Sequence, residues 1–240
     1  MATWIVHLRL TENLLDLIPN LDAGQFAIGN IAPDSGVPDE NWENFDPPPP
    51  VTHFLSPEKE WVGSADLDFY RKHLKGIDTQ KAKGSFSFRL GYFFHLITDN
   101  LWREKIFGPT KARFSEDFLS SPNFNSEMKR DWYGLDLAYV RNNPKSLFWR
   151  VFLDAQPISC DLDFLPMAAV NQQLNYIKNF YQRDDDEINN HYRPSDTYLT
   201  EEDVDKFVEE TTQRLYRVYK ALWVKKITIS RQKFILRKIK

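Results

Sequence analysis

Leu90-Gly-Tyr-Phe-Phe-His-Leu-Ile-Thr-Asp-Asn-Leu-Trp102 is dominated by aromatic and aliphatic residues and carries one imidazole and one carboxylate. A helix of this composition is apolar on most of its circumference, so it belongs in the middle of a fold rather than at its surface. Gly91, His95, Asp99 and Arg103 recur every fourth residue. Side chains at that spacing lie one above the other, which stacks His95 on Asp99 inside an apolar layer. A buried charge is costly unless it is paired or bound to a metal. A satisfied His–Asp hydrogen bond meets that demand, and so does a cation held by both donors.

Three other segments set polar donors in apolar contexts. Phe26-Ala-Ile-Gly-Asn-Ile-Ala-Pro-Asp34-Ser is an apolar run that ends in Gly, Pro and Asp. Pro50-Val-Thr-His53-Phe places a histidine straight after a proline-rich stretch, and His7 interrupts Trp4-Ile-Val-His-Leu-Arg-Leu10. The remaining two of the five histidines sit in polar surroundings. His73 lies among bases in Tyr70-Arg-Lys-His-Leu74 and reads as a surface residue; His191 follows the acidic run Asp184–Glu187 and reads as solvated.

Working outward from the central stretch, the chain reads as helix nearly everywhere. Thr3 to about Ile18 has a helical apolar face and stops at Pro19-Asn20. Residues 35–50 form a long acidic, proline-rich loop whose ends carry Asp34 and His53, so it is expected to fold over them. Ser64 is placed to cap a short helix that Gly76 stops. The central helix runs from Thr79 to Phe107, with Gly108-Pro109 as its stop. Asn125 or Ser126 starts a helix through Asp131, Asp136 and Tyr139, and Asp131 suits an N-cap. Pro144 opens another through Phe152, as a first-turn proline does. Val170, Leu174, Ile177 and Tyr181 share a face, and Thr200-Glu-Glu-Asp203 is a capping box before a strongly periodic helix. From Lys225 to Lys240 bases alternate with Ile227, Ile229, Phe234, Ile235 and Ile239. Such an end packs on the body as a final helix, or touches an anionic lipid surface from outside. No alternating strand set is present, so the expected fold is all-α, a compact multi-helix domain over residues 1–240.

Composition narrows the function classes. At 240 residues the chain can bury one large core without an internal linker. Its 15% aromatic content mostly reflects that core. A net charge of −3 argues against a surface built to coat nucleic acid. Mean hydropathy is −0.53, and no apolar run approaches the ~20 residues of a membrane span. No secretory leader is evident, and the single Cys160 cannot form an internal disulfide, so a cytoplasmic protein is expected. Cys160 itself reads as a packing residue.

The order His7, then Pro33-Asp34, then His53-Phe54, then Gly91-Tyr-x-x-His95-x-x-x-Asp99 resembles the zinc-dependent phospholipase C superfamily, an all-helical group that includes single-strand-specific nucleases. The resemblance runs from His7 to about Trp102. The phrases Gly29-Asn-Ile-Ala-Pro-Asp-Ser35 and Asp131-Trp-Tyr-Gly-Leu-Asp136 are similar to its small bacterial members. The resemblance implies that Asp34, His53, His95 and Asp99 hold one zinc. It also implies that His7 serves a second zinc, with Asp99 bridging the two. It places Asp136, Asp131 and Trp102 as supports of the ligands or contacts of the substrate. The secreted members add a third zinc through a C-terminal His…His-x-x-x-Glu cluster. Here only His191 follows Asp99, and position 195 is a serine, so one or two metals are expected. Those members also use a processed N-terminal amino group, for which this sequence gives no sign.

Mixed His/Asp donors suit zinc and other divalent transition metals better than calcium or magnesium. Such an ion acidifies water and clamps a phosphoryl group. Asp34 and Asp99 are then the candidate catalytic carboxylates. The expected activity is hydrolysis of a small-molecule or lipid-headgroup phosphoester. Hydrolysis of another bond type, and a non-catalytic metal-braced helical binding or structural module, are the alternative classes.

Overall fold

The stretch around His95 forms the longest α-helix of the computed structural model, which describes the chain apart from residues 42, 56–62, 80, 160–161, 230–231, 238 and 240. The helices are α1 (Trp4–Leu17), α2 (Ala23–Gly29), α3 (Pro49–Thr52), α4 (Asp66–His73), α5 (Lys83–Trp102), α6 (Gly108–Arg113), α7 (Ser115–Ser120), α8 (Phe124–Asn142), α9 (Met167–Gln182), α10 (Asp186–His191) and α11 (Glu201–Tyr219). Between the described strands there is one pairing, antiparallel, of Val37–Pro38 with Phe45–Asp46 inside the proline-rich loop. The fold is all-α. No helix among the described residues is long and apolar enough to cross a membrane. Cys160 lies outside the described residues.

Helix α5 is buried on nearly every side, as its composition demands: Phe88, Phe93, Phe94 and Trp102 are wholly enclosed. Helices α1, α2, α4 and α11 pack around it, and α8 closes on α1. The four-residue face of α9 and the periodic face of α11 are buried as expected. The Thr200–Asp203 capping box forms in both directions. Helix α1 has no side-chain cap of its own, because the Thr3 hydroxyl donates to Asp136 Oδ1 at 2.7 Å. Asp136 Oδ2 instead accepts the Ile5 N–H at 3.4 Å, so α8 caps α1 from across the core.

Several local expectations are corrected. Ser64 is not a cap; its N–H donates to Asn100 Oδ1 at 2.8 Å, and α4 begins at Asp66. Gly108-Pro109 does not end the helical path. A π turn at Arg103–Phe107 lets the Gly108 N–H reach the Arg103 carbonyl, and Pro109 enters α6 in its first turn, where a missing N–H costs little. Pro144 lies in a turn, and the next helical segment is the π turn Phe148–Phe152. Asp131 is two turns inside α8, where it cannot cap that helix. His73 is buried, not exposed, against Phe54, Phe69 and Phe164. Burial, with Lys72 and Arg89 adding to it, lowers its imidazole to about 4.

Among its described residues the basic tail does not form the expected final helix. After a π turn at Lys220–Val224 it runs irregularly back across α4 to a 3-10 turn at Ile235–Arg237. The Ile235 N–H donates to Asp66 Oδ1 at 2.9 Å, and the Leu67 N–H donates to the Lys233 carbonyl at 3.1 Å. Asn100 Nδ2 donates to the other Asp66 oxygen at 3.1 Å. Asp66 is fully buried, and burial pushes its carboxyl up from 3.8 to about 8. The folded chain therefore keeps a proton that the unfolded chain releases above about 4. Stability contributed by this group is lost as pH rises from about 4 to about 8. The urea midpoint of the parent relative to Asp66→Asn should fall as pH rises across that window. An identical pH slope in the variant would remove Asp66 from this role.

Candidate metal centre

The centre is assembled by the backbone contact of two helices. A Cβ built on Gly91 of α5 would lie 2.4 Å from the Phe26 carbonyl oxygen and 2.8 Å from the Asn30 nitrogen. One built on Gly29 of α2 would lie 2.0 Å from the Phe88 carbonyl oxygen. Only glycine at both positions lets α2 and α5 approach this closely. That approach brings the Asn30 carbonyl to 2.7 Å from His95 Nδ1, one helical turn from Gly91. A carbonyl only accepts, so Nδ1 carries the hydrogen, and the Nε2 lone pair of the neutral ring points the other way.

That lone pair meets three more donors. His95 Nε2 is 3.3 Å from Asp99 Oδ2 and 3.3 Å from His53 Nε2. His53 Nε2 is 3.2 Å from Asp34 Oδ1 and 3.6 Å from Asp99 Oδ2. His53 is aimed by the end of α3, where its Nδ1 lies 3.0 Å from the Thr52 hydroxyl. Asp34 is delivered by a 3-10 turn, Ala32–Asp34, that follows α2. Four such donor atoms in this arrangement repel one another unless a proton or a metal ion lies among them. A tetrahedral ion with bonds of about 2.0–2.1 Å holds its ligand atoms about 3.3 Å apart, close to these separations, and two three-donor sets, Asp34–His53–His95 and His7–His95–Asp99, each lie within 4.8 Å.

His7 approaches from the other side of Asp99. Its ring stacks on His95 at 4.0 Å with an interplanar angle of 7°. Its Nε2 lies 3.6 Å from Asp99 Oδ1, which also accepts the Ala2 N–H at 2.8 Å. Both His7 nitrogens and Asp99 Oδ2 are buried without a hydrogen-bond partner. Asp99 thus turns Oδ2 to the four-donor group and Oδ1 to His7.

The electrostatics follow from this crowding. Burial opposes charge on His95, but the Asp99 and Asp34 carboxylates outweigh it and raise the imidazole above its ordinary value. Burial would likewise raise Asp99, yet the charge of His95 and contacts from His7 and His95 hold it well below the carboxylate range. Burial and the neighbouring charge of His95 lower His7 to about 4. The cluster is short of positive charge, which a proton on His95 or a shared metal ion supplies.

Asp34 and His53 also line a cavity of about 520 Å³. Its walls are mostly apolar and aromatic, with Trp4, Trp132, Tyr133, Tyr176 and Phe180 prominent. The proline-rich loop forms one side through Val37, Pro38 and Phe45, as expected from its ends. Among the described residues Asp34 is the only carboxylate side chain on this wall, and Lys129 is the only lysine or arginine.

All five expected donors, His7, Asp34, His53, His95 and Asp99, converge. The three expected supports do not join them. Trp102 packs in the core against Trp132 and Phe207. Asp131 holds a loop, accepting the Ser195 N–H at 2.6 Å and the Tyr198 N–H at 3.0 Å. Asp136 accepts Thr3, Ile5 and the Tyr181 hydroxyl, the last at 2.6 Å, and acts on the centre through α1 alone. His191 is exposed at the end of α10. Sequence reasoning missed Trp4, whose indole N–H donates to Asp34 Oδ2 at 2.9 Å. The signal was available: Trp4 and His7 are three apart on one helix and so share a face. No family model, curated protein or solved structure matches the chain.

Proposed function

We propose that this protein is a divalent-metal-dependent hydrolase of phosphoesters, with zinc as the best-fitting ion. The observation that carries the reading is the convergence of Asp34, His53, His95 and Asp99, the first two on the wall of an aromatic-lined cavity. The ordered resemblance to the zinc-dependent phospholipase C superfamily supports the phosphoester class. Asp34, His53, His95 and Asp99 would hold the first ion, and His7 with Asp99 Oδ1 a second. A bound ion would supply Lewis acidity, acidifying water and stabilising negative charge on a phosphoryl group.

The chain's own residues supply the rest. Asp34, a residue of the cavity wall, would hold the ion through Oδ1 at the edge of the cavity, where a substrate meets it. The Lys129 ammonium favours an anionic substrate. The aromatic walls take the organic part of the ester and exclude bulk water, which strengthens each charge interaction inside. A small-molecule ester or a lipid headgroup fits this chemistry.

Were all four side chains to ligate one ion, the shell would be closed to water, which favours the second reading: a metal that braces α5 to the segments after α2 and α3 without catalysis. Elemental analysis of protein purified without added metal should return one or two equivalents per chain. A chelator should then lower the melting temperature, because the ion binds only the folded state. Turnover of chromogenic phosphodiesters or phosphomonoesters, lost with the metal and restored by zinc, separates hydrolase from brace. Three tightly bound equivalents would contradict the donor count, and none would end both readings.

A further inference from the structure

We infer that Trp4 is a positioning residue that fixes how Asp34 presents itself to the metal and ties that ligand to the wall of the cavity. The inference rests on the metal reading above. Asp34 has two oxygens with different surroundings. Oδ1 is 3.2 Å from His53 Nε2, while Oδ2 accepts the Trp4 indole N–H at 2.9 Å. An indole nitrogen is a donor only and carries one hydrogen, so this contact has a single direction. It occupies one carboxylate oxygen and leaves the other for an ion, which favours one-oxygen ligation over chelation by both.

The indole cannot easily turn away. Its ring is held by Tyr133 at 5.4 Å, Tyr176 at 5.9 Å, and Phe180 and Tyr181 each at 6.3 Å. Trp4, Tyr133, Tyr176 and Phe180 are also wall residues of the cavity. At its other side Trp4 is set by the first turn of α1, which Asp136 anchors through Thr3 and Ile5. One side chain therefore bonds a donor of the centre and forms part of the surface that meets a bound organic group. Partners of this kind orient metal ligands and are worth roughly 10–100-fold in metal affinity.

The test uses the full chain and cobalt(II), whose visible absorption reports coordination number. Trp4→Phe keeps an aromatic ring and removes the donor. Its cobalt affinity, measured by competition with a chromophoric chelator, should fall about 10–100-fold. Its visible absorption should weaken as Asp34 gains freedom to chelate. In a cycle with Asp34→Asn, the Trp4→Phe effect should largely vanish, because Trp4 acts through Asp34. Should Trp4→Phe not fold, 3-benzothienylalanine at position 4 keeps the two-ring shape and lacks only the N–H. Equal affinity and an unchanged spectrum in either variant overturns the inference alone. A parent protein that takes up no cobalt overturns the metal reading and this inference with it.

Discussion

Asp99→Asn is expected to lose metal and phosphoester hydrolysis together while remaining folded. Its carboxylate meets all three imidazoles of the centre. Oδ2 lies 3.3 Å from His95 and 3.6 Å from His53, and Oδ1 lies 3.6 Å from His7. The amide of asparagine keeps one acceptor for the Ala2 N–H, so the hydrogen bond to the N-terminal segment survives. What disappears is the negative charge that faces the three imidazoles and would balance a bound cation. Losing a ligand and its charge should exceed the ~10–100-fold typical of outer partners. Circular dichroism, elemental analysis and turnover on one preparation check this. Full metal content and full turnover in folded Asp99→Asn would remove the centre from catalysis.

Gly91→Ala is expected to be among the most damaging single-methyl additions in the chain. Its Cβ would fall 2.4 Å from the Phe26 carbonyl oxygen and 2.8 Å from the Asn30 nitrogen, and neither backbone atom can rotate aside. Helices α2 and α5 must separate, which breaks the 2.7 Å bond from His95 Nδ1 to the Asn30 carbonyl. Overpacking typically costs about 1–3 kcal/mol, and rigid backbone on both sides places this case at the upper end or beyond. The intrinsic helical gain of alanine over glycine, about 1 kcal/mol, offsets only part. Gly76→Ala is the informative contrast. It has open space around it but a φ of +85°, so its cost is conformational and should leave metal affinity untouched. Melting temperatures and metal titrations of both variants make the comparison. A Gly91→Ala protein as stable as its parent, with metal affinity intact, would mean that the helix contact tolerates more than its distances allow.

The donor set was legible because each donor is a sparse polar residue in an apolar context, and burial makes such residues conspicuous. His95 and Asp99 also share a helix, so their spacing alone placed them together. His73 was misread for the complementary reason. Its sequence neighbours Arg71 and Lys72 are basic, but they leave from other faces of α4, and the imidazole points inward onto Phe54 and Phe69. Neighbours in sequence are poor witnesses to neighbours in space on a helix. Asp131 and Asp136 show a different limit. Both are buried carboxylates, yet their partners lie 45 or more residues away in sequence, and spacing within α8 carries no trace of them. The Pro109 boundary was missed because a π turn changes which carbonyl needs a donor, a local adjustment with no residue signature.

The order of the chain gives the convergence of donors a further meaning. His7 through Asp99 lie in the first 99 residues, whereas Trp132, Tyr133, Tyr176 and Phe180 of the cavity wall come later. A nascent polypeptide, emerging from its N-terminus, carries every coordinating group before the far wall of the chamber has been translated. Helices α1, α2 and α5 can meet at that stage, since α2 and α5 dock through glycines that both lie within the emerged segment. On the metal reading, an ion can then reach the five donors by an open face before the chamber closes.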